Sequence, residues 1–188
     1  ANIERGNINL QNKSILNLNK IEMKKILGNK ISVIFQDPMT SLNPVMSIGK
    51  QMVLSQHHEE ISKSEKVKKS LDMLNLVGIP DAKSRFNDLP HELSGGMRQR
   101  IMIAMAIQSK PDLLIADEPT TALDVTTEIQ IINLLKNLQN KIGCSILFIT
   151  HNLSLIADFC DYVLIMYAGV VLEKGTMRNI FSNPQHPY

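Results

Sequence analysis

The sequence predicts an α/β fold: a mainly parallel sheet with helices packed on it and a helical subdomain inserted within it. Apolar runs at residues 31–35, 113–116 and 145–150 alternate with helix-length amphipathic stretches, the pattern of parallel strands joined by crossover helices. Between Gln36 and Ser94 the periodicity is helical, which makes that stretch an insertion rather than a single crossover. A third observation locates the chemistry. Residues 93–124, LSGGMRQRIMIAMAIQSKPDLLIADEPTTALD, join a Ser-Gly-Gly helix start to a strand that delivers Asp117 and Glu118 at its carboxyl end. In open α/β sheets ligands bind at that end.

Taken in order, residues 3–10 read as a short strand. Asn19 and Glu22 fit a capping box and Leu18 and Met23 a hydrophobic staple, predicting a helix over 20–27 that Gly28 stops. Residues 31–35 are a buried strand by their β-branched content. Gln36 ends it, and DPMTSLNP at 37–44 reads as a loop. Residues 47–79 are helical, with a second capping box at Ser62 and Glu65. Val67, Leu71, Leu74 and Leu76 form the apolar stripe there, and Lys63, Lys66, Lys68 and Lys69 the wet face. Residues 81–90 are polar and turn-rich. In the helix over 95–108, Met97, Met102 and Met105 read as core filling.

Beyond the 113–116 strand, Ile129, Ile132, Leu135 and Leu138 mark an amphipathic helix over 126–141. A third buried strand follows at 145–150, then a helix at 153–159 and a fourth strand at 162–167. Ala168 and Gly169 make a turn, and a short helix lies near 176–181.

Length and composition narrow the function. The 188 residues suit one domain with a real core. A net charge of +2 with scattered basic residues provides no electrostatic case for nucleic acid. Cys144 and Cys160 lack metal-ligand spacing and read as reduced core thiols of a cytosolic protein. No apolar run approaches the roughly 20 residues of a membrane-spanning helix, and the chain does not open on a signal-peptide pattern. Any membrane role therefore runs through a partner.

Ser94 is a good N-cap, and Gly95 and Gly96 let the backbone come close to an anion. The unpaired N–H groups and positive dipole end of such a helix start suit phosphate. LSGGMRQR, LLIADE and TALD together resemble the signature, Walker B strand and D-loop of ABC transporter nucleotide-binding domains. The resemblance implies a P-loop NTPase-type domain that binds ATP with Mg2+. It divides the chain into an α/β ATPase core at 1–36 and 108–188 and a helical subdomain at 37–107.

Residue roles come with the family. Asp117 is the metal-side carboxylate and Glu118 the general base. Gln36 is the Q-loop glutamine, sensing metal and nucleophile, and His151 is the switch histidine against the γ-phosphate. Asn152 stands where peptide-importer members usually show aspartate. Ser94, Gly95 and Gly96 close on the ATP of a second ABC subunit, homologous or identical, in a head-to-tail dimer, and Asp124 crosses that interface. His57, His58, His91 and His186 are assigned no role.

A Walker A loop, G-x-x-x-x-G-K-[ST], would complete the phosphate cradle, and it is absent. Gly49-Lys50 is the nearest match, but Gln51 follows it, and it sits in the helical stretch. The family places Walker A just upstream of residue 1, while the final NPQHPY resembles the segment opening the C-terminal extension of dipeptide, oligopeptide and nickel importers. The expectation is a fragment with an incomplete N-terminal part, inactive alone, its sheet gapped where the Walker A strand belongs.

The full protein is expected to be the peripheral ATPase of an importer at the cytoplasmic face of the inner membrane, joined to permease subunits and indirectly to a solute-binding protein. Two alternatives are weighed. A soluble ABC ATPase of DNA repair would need a coiled coil between Gln36 and Ser94, and one of translation a charged linker; neither is present. A non-catalytic domain lending only its signature would explain the missing Walker A, but it leaves Glu118 and His151 without purpose.

Overall fold

The computed structural model describes residues 5–121, 123–157 and 159–188. The chain opens with a tight hairpin, β1 (Asn9–Leu10) and β2 (Lys13–Ser14). Gln11 and Asn12 both take positive φ at its tip, as a two-residue hairpin turn requires. The expected strand over 3–10 thus shrinks to its last two residues, the only ones of the described part of it that pair with β2. Ile3 and Glu4 lie outside the described residues.

Helix α1 (Lys20–Ile26) carries the predicted capping box: Asn19 accepts the Glu22 N–H, and the Glu22 carboxylate accepts the Asn19 N–H. Strand β3 (Ile31–Ile34) follows. The stretch read as a loop contains a single helical turn, α2 (Pro38–Ser41), stabilised by Thr40 and Ser41 hydroxyls donating to the Asp37 carbonyl. Helices α3 (Ile48–Ser55) and α4 (Lys63–Leu76) come next, α4 starting at the Ser62–Glu65 capping box. Residues 81–90 hold another short helix, α5 (Ala82–Arg85).

Helix α6 (Gly95–Ile107) runs back to the sheet and packs against β3. Strand β4 (Leu113–Asp117) leads to α7 (Val125–Ile142), β5 (Ser145–Ile149), the short α8 (Leu153–Ile156) and a hairpin of β6 (Tyr162–Tyr167) with β7 (Val170–Thr176). Helix α9 (Met177–Ser182) closes the order, its N-terminus capped by Thr176. The helix expected over 153–159 is thus one turn long, with Asp158 outside the described residues.

Strands β3, β4 and β5 form a parallel sheet with β4 central, while β6 and β7 pair antiparallel in a ladder of their own. One apolar core joins sheet and helices. It includes Ile34, Leu114 and Ala116 from strands, Met52 and Leu74 from α3 and α4, and Ile101, Ile103, Ile107, Ile131 and Leu135 from α6 and α7. Burying each of the Ile, Leu and Met side chains among these contributes roughly 1.5–3 kcal/mol. Met102 lies within this core, and Met97 and Met105 pack on its margin. Cys144 is buried in it, while Cys160 packs at a smaller cluster formed by Ile156, Val163, Met177 and Ile180.

Several stripes differ from expectation. On α4, Leu76 is exposed, whereas Ser70 is fully buried and bonded to Gln56. Lys66 donates to the Gln56 carbonyl and Lys69 pairs with Glu59, so only Lys63 and Lys68 remain on the wet face. On α7 the inward residue is Ile131, not Ile129, and the buried stripe runs through 131, 135 and 138. Strand β5 is not wholly buried. Ile146 and Phe148 face the core, while Leu147 and Ile149 are 45% and 44% exposed. Among the described residues β5 pairs with β4 alone, which leaves its second face and outer edge uncovered.

Candidate active site and signature surface

The carboxyl ends of the three parallel strands bring one group of polar side chains together. Residue Gln36 lies two positions beyond β3, Asp117 ends β4 with Glu118 after it, and His151 lies two positions beyond β5. Parallel register places these ends side by side. The Glu118 N–H bonds to the Ile149 carbonyl at 3.0 Å, carrying the ladder one residue past Asp117. Glu118 then takes a φ of +45°. This left-handed conformation is uncommon for a residue with a Cβ and is concentrated at functional sites.

Three donors converge on the Glu118 carboxylate. The Gln36 amide donates to Oε2 at 3.1 Å, and the Thr121 hydroxyl donates to the same oxygen at 2.7 Å. His151 Nδ1 lies 3.0 Å from Oε1; a carboxylate can only accept, so Nδ1 carries the proton. The Thr121 hydroxyl, then His151, and lastly Gln36 hold the Glu118 carboxyl below its ordinary range against an opposing push from burial. At neutral pH Glu118 is therefore an anion, oriented and ready to accept a hydrogen bond from water. Asn152 accepts the Ser154 N–H as the cap of α8. Aspartate would make the same bond, which is why the asparagine is accommodated.

Asp117 is exposed, with no side-chain hydrogen bond among the described residues. Its hard oxygen donors suit Mg2+, which commonly takes one or two carboxylates together with phosphate and water. Among the described residues no cluster of three or more His, Cys, Asp or Glu side chains could hold a metal by itself. An ion here would thus depend on the nucleotide for its remaining ligands.

Ser94, Gly95 and Gly96 lie elsewhere, beside the start of α7. With Arg100, Asp124 and Thr127 they line an open cleft of about 540 Å³. Ser94 caps α6 by accepting the Met97 N–H at 3.3 Å, which leaves its hydroxyl proton free to donate to an anion. The two glycines prove to have different reasons. A Cβ on Gly95 would meet only Leu123, at 3.8 Å, whereas one on Gly96 would sit 2.9 Å from Thr127 Cγ2. Gly96 is thus small so that α6 can pack on α7, whereas no steric contact demands glycine at Gly95.

Asp124 caps α7. Its Oδ1 accepts the Thr127 N–H at 3.0 Å and its Oδ2 the Thr127 hydroxyl at 2.7 Å. Those two bonds lower its carboxyl below the ordinary range.

Sequence reasoning missed three residues here. Thr121 lies inside DEPTTALD, where its position three residues after Glu118 was the available signal. Thr127 and Arg100 had none. Arg100 donates to the Val77 carbonyl at 2.8 Å and to Gln130 Oε1 at 3.1 Å, tying α6 to the end of α4 and to α7. Gly49, the false Walker A match, lies inside α3, where a Cβ would come within 2.1 Å of the Phe86 ring.

With this geometry in hand, comparison with known proteins is decisive. Residues 1–121 match the sequence profile of the ABC transporter family. The chain belongs to that family. This ABC chain is 51% identical over 190 residues to the dipeptide transport ATP-binding protein DppD of Lactococcus lactis subsp. cremoris, covering 100% of the chain and 54% of the relative. It is 53% identical over 186 residues to the oligopeptide transport ATP-binding protein OppD of Bacillus subtilis, covering 98% and 52%. The chain therefore spans about half the length of these curated relatives.

Among solved structures, cbiO1 of Clostridium perfringens, part of the transporter complex cbiONQ, superposes with a TM-score of 0.83 at 29% identity, over 96% of this chain and 69% of that one. The dimeric ATP-binding cassette MJ0796, in a post-hydrolysis state bound to ADP and Pi, gives 0.80 at 28% identity, over 93% and 75%. Among the described residues no helix is long and apolar enough to cross a membrane.

Proposed function

We propose that this chain is the catalytic segment of the ATP-hydrolysing subunit of an ABC importer for dipeptides or oligopeptides, with nickel as the alternative cargo. The observation carrying this is the convergence of Gln36, His151 and Thr121 on the Glu118 carboxylate, next to an unencumbered Asp117. The arrangement matches what phosphoanhydride hydrolysis asks of a protein: an oriented carboxylate to take a proton from water, and donors that hold it.

In this reading Glu118 orients the attacking water and accepts its proton. His151 fixes Oε1 through its Nδ1–H, and Nε2 donates toward the γ-phosphate only when the ring is the doubly protonated imidazolium, while Gln36 reports occupancy of the site through its amide. Asp117 would hold Mg2+, which when bound neutralises charge on the phosphates. Ser94, Gly95 and Gly96 present a helix start to the ATP of a second subunit arranged head to tail, and Asp124 lies at that interface. The division into an ATPase core at 1–36 and 108–188 and a helical subdomain at 37–107 assigns the helices the task of passing closure to permease subunits. Such a subunit sits peripherally at the cytoplasmic membrane face. A domain lending only its signature is disfavoured by the His151–Glu118 contact, which such a domain would not need.

The test is Glu118→Gln in the full-length, assembled transporter. ATP binding is expected to persist while hydrolysis falls about 10²–10⁴-fold, the usual contribution of a general base. Unchanged hydrolysis would refute the assignment. Stimulation of the wild-type ATPase by a peptide-loaded binding protein, and not by a nickel-loaded one, would fix the cargo class.

A further inference from the structure

Two hydrogen-bonded turns lie between Glu118 and Asp124. The Thr121 N–H donates to the Glu118 carbonyl at 3.4 Å, closing a turn, and the Leu123 N–H donates to the Thr120 carbonyl at 3.0 Å, closing the next. The buried Thr120 hydroxyl donates to Glu128 Oε1 on α7 at 2.6 Å, and Asp124 caps the same helix. The loop is therefore tied to the start of α7 at Thr120 and Asp124.

The three partners of the Glu118 carboxylate are not equivalent. Gln36 and His151 come from the ends of two other strands, β3 and β5, so a shift between strand ends alters both. Thr121 lies on the Glu118 turn itself, makes the shortest of the three contacts, and is β-branched, which restricts its χ1. Rotation of the carboxylate is thus set chiefly from within the loop that leads to Asp124.

We infer that Thr121 is a positioning residue for hydrolysis: its hydroxyl sets the orientation of the Glu118 carboxylate and links it to the loop carrying Asp124. The inference rests on the function proposed above, in which Glu118 is the base. Thr121 itself touches neither water nor nucleotide in this role, and its effect is exerted through Glu118.

The experiment compares Thr121→Val, Thr121→Ala and Thr121→Ser with Glu118→Gln in the full-length, assembled ATPase, measuring kcat, KM for MgATP and binding of a non-hydrolysable ATP analogue. Thr121→Val keeps the shape and loses the hydroxyl. It is expected to lower kcat about tenfold, as loss of a hydrogen bond to a charged group does, with KM and analogue binding unchanged. Thr121→Ser should recover most of the rate. Thr121→Ala, free of any packing demand from valine, should match the valine variant. A kcat within twofold of wild type in both hydroxyl-free variants overturns the inference, as does a rise in KM at constant kcat or a failure of serine to restore the rate. If Glu118→Gln itself hydrolyses normally, the underlying function is wrong; if it is inactive while Thr121→Val is not, only the role of Thr121 is.

Discussion

Replacing Gly96 by alanine places a methyl group 2.9 Å from Thr127 Cγ2, well inside the separation at which two carbon atoms attract. Thr127 has little room to yield. Its hydroxyl and its N–H are both held by the Asp124 carboxylate, at 2.7 and 3.0 Å, and its β-branched side chain has few rotamers. The Gly95→Ala control faces only Leu123 Cδ2 at 3.8 Å, an ordinary contact. Both sites lie in the first turn of α6, where helix propensity acts weakly and alike on the two changes. Overpacking at Gly96 costs about 1–3 kcal/mol, so Gly96→Ala should lose about 2 kcal/mol while Gly95→Ala is near neutral.

Urea titration reads the difference. A separation of about 2 kcal/mol between the two variants, at a slope of roughly 2 kcal/mol/M, puts their midpoints about 1 M apart. Thr127→Ser removes Cγ2 while keeping the hydroxyl and N–H that bind Asp124, so the Gly96→Ala/Thr127→Ser double variant should regain most of the loss. Equal midpoints for the two alanine variants, or a double variant no better than Gly96→Ala, would show that the Gly96–Thr127 approach is not what demands glycine.

Two further outcomes are expected. Gly49→Ala drives a Cβ to within 2.1 Å of the Phe86 ring and should lower stability by about 1–3 kcal/mol through overpacking; urea titration checks this, and Gly49→Ala/Phe86→Leu should recover part of it. Glu173 accepts the Gln185 and His186 N–H groups, each at 2.9 Å, and these bonds depress its carboxyl. Because the folded value is the lower one, the tail's attachment is fully present above the unfolded carboxylate value of about 4.3 and is lost as pH falls through the depressed value. The Gln185 and His186 amide NMR shifts should follow that titration, and in Glu173→Ala they should take their detached positions at every pH.

Much of this protein was legible in the chain because local chemistry decided it. The capping boxes at Asn19 and Ser62 set two helix starts, and a β-branched run marked β3 and an apolar run ending in carboxylates marked β4. The order of LSGG, IADE and TALD identified the family, since each piece is a backbone device with a chemical reason: a capped helix start, a strand end bearing carboxylates, a loop into a second helix. What the chain could not disclose depended on neighbours distant in sequence. Periodicity selected Ile129 and Leu76 for burial, but the neighbours packed on α7 and α4 leave Ile131 and Ser70 buried instead. The short α2 and α5 were hidden among turn-forming residues.

The site divides in the same way. Gln36, Asp117, Glu118 and His151 could be read one by one as strand-end residues, yet only parallel register brings Gln36, Glu118 and His151 into hydrogen-bonding reach. For Gly95 and Gly96 the sequence supported one explanation, close approach to an anion. Packing of α6 on α7 adds a steric reason at Gly96 that Gly95 does not share, because what a missing side chain makes room for is a property of the neighbour, and the neighbour, Thr127, is supplied by the fold.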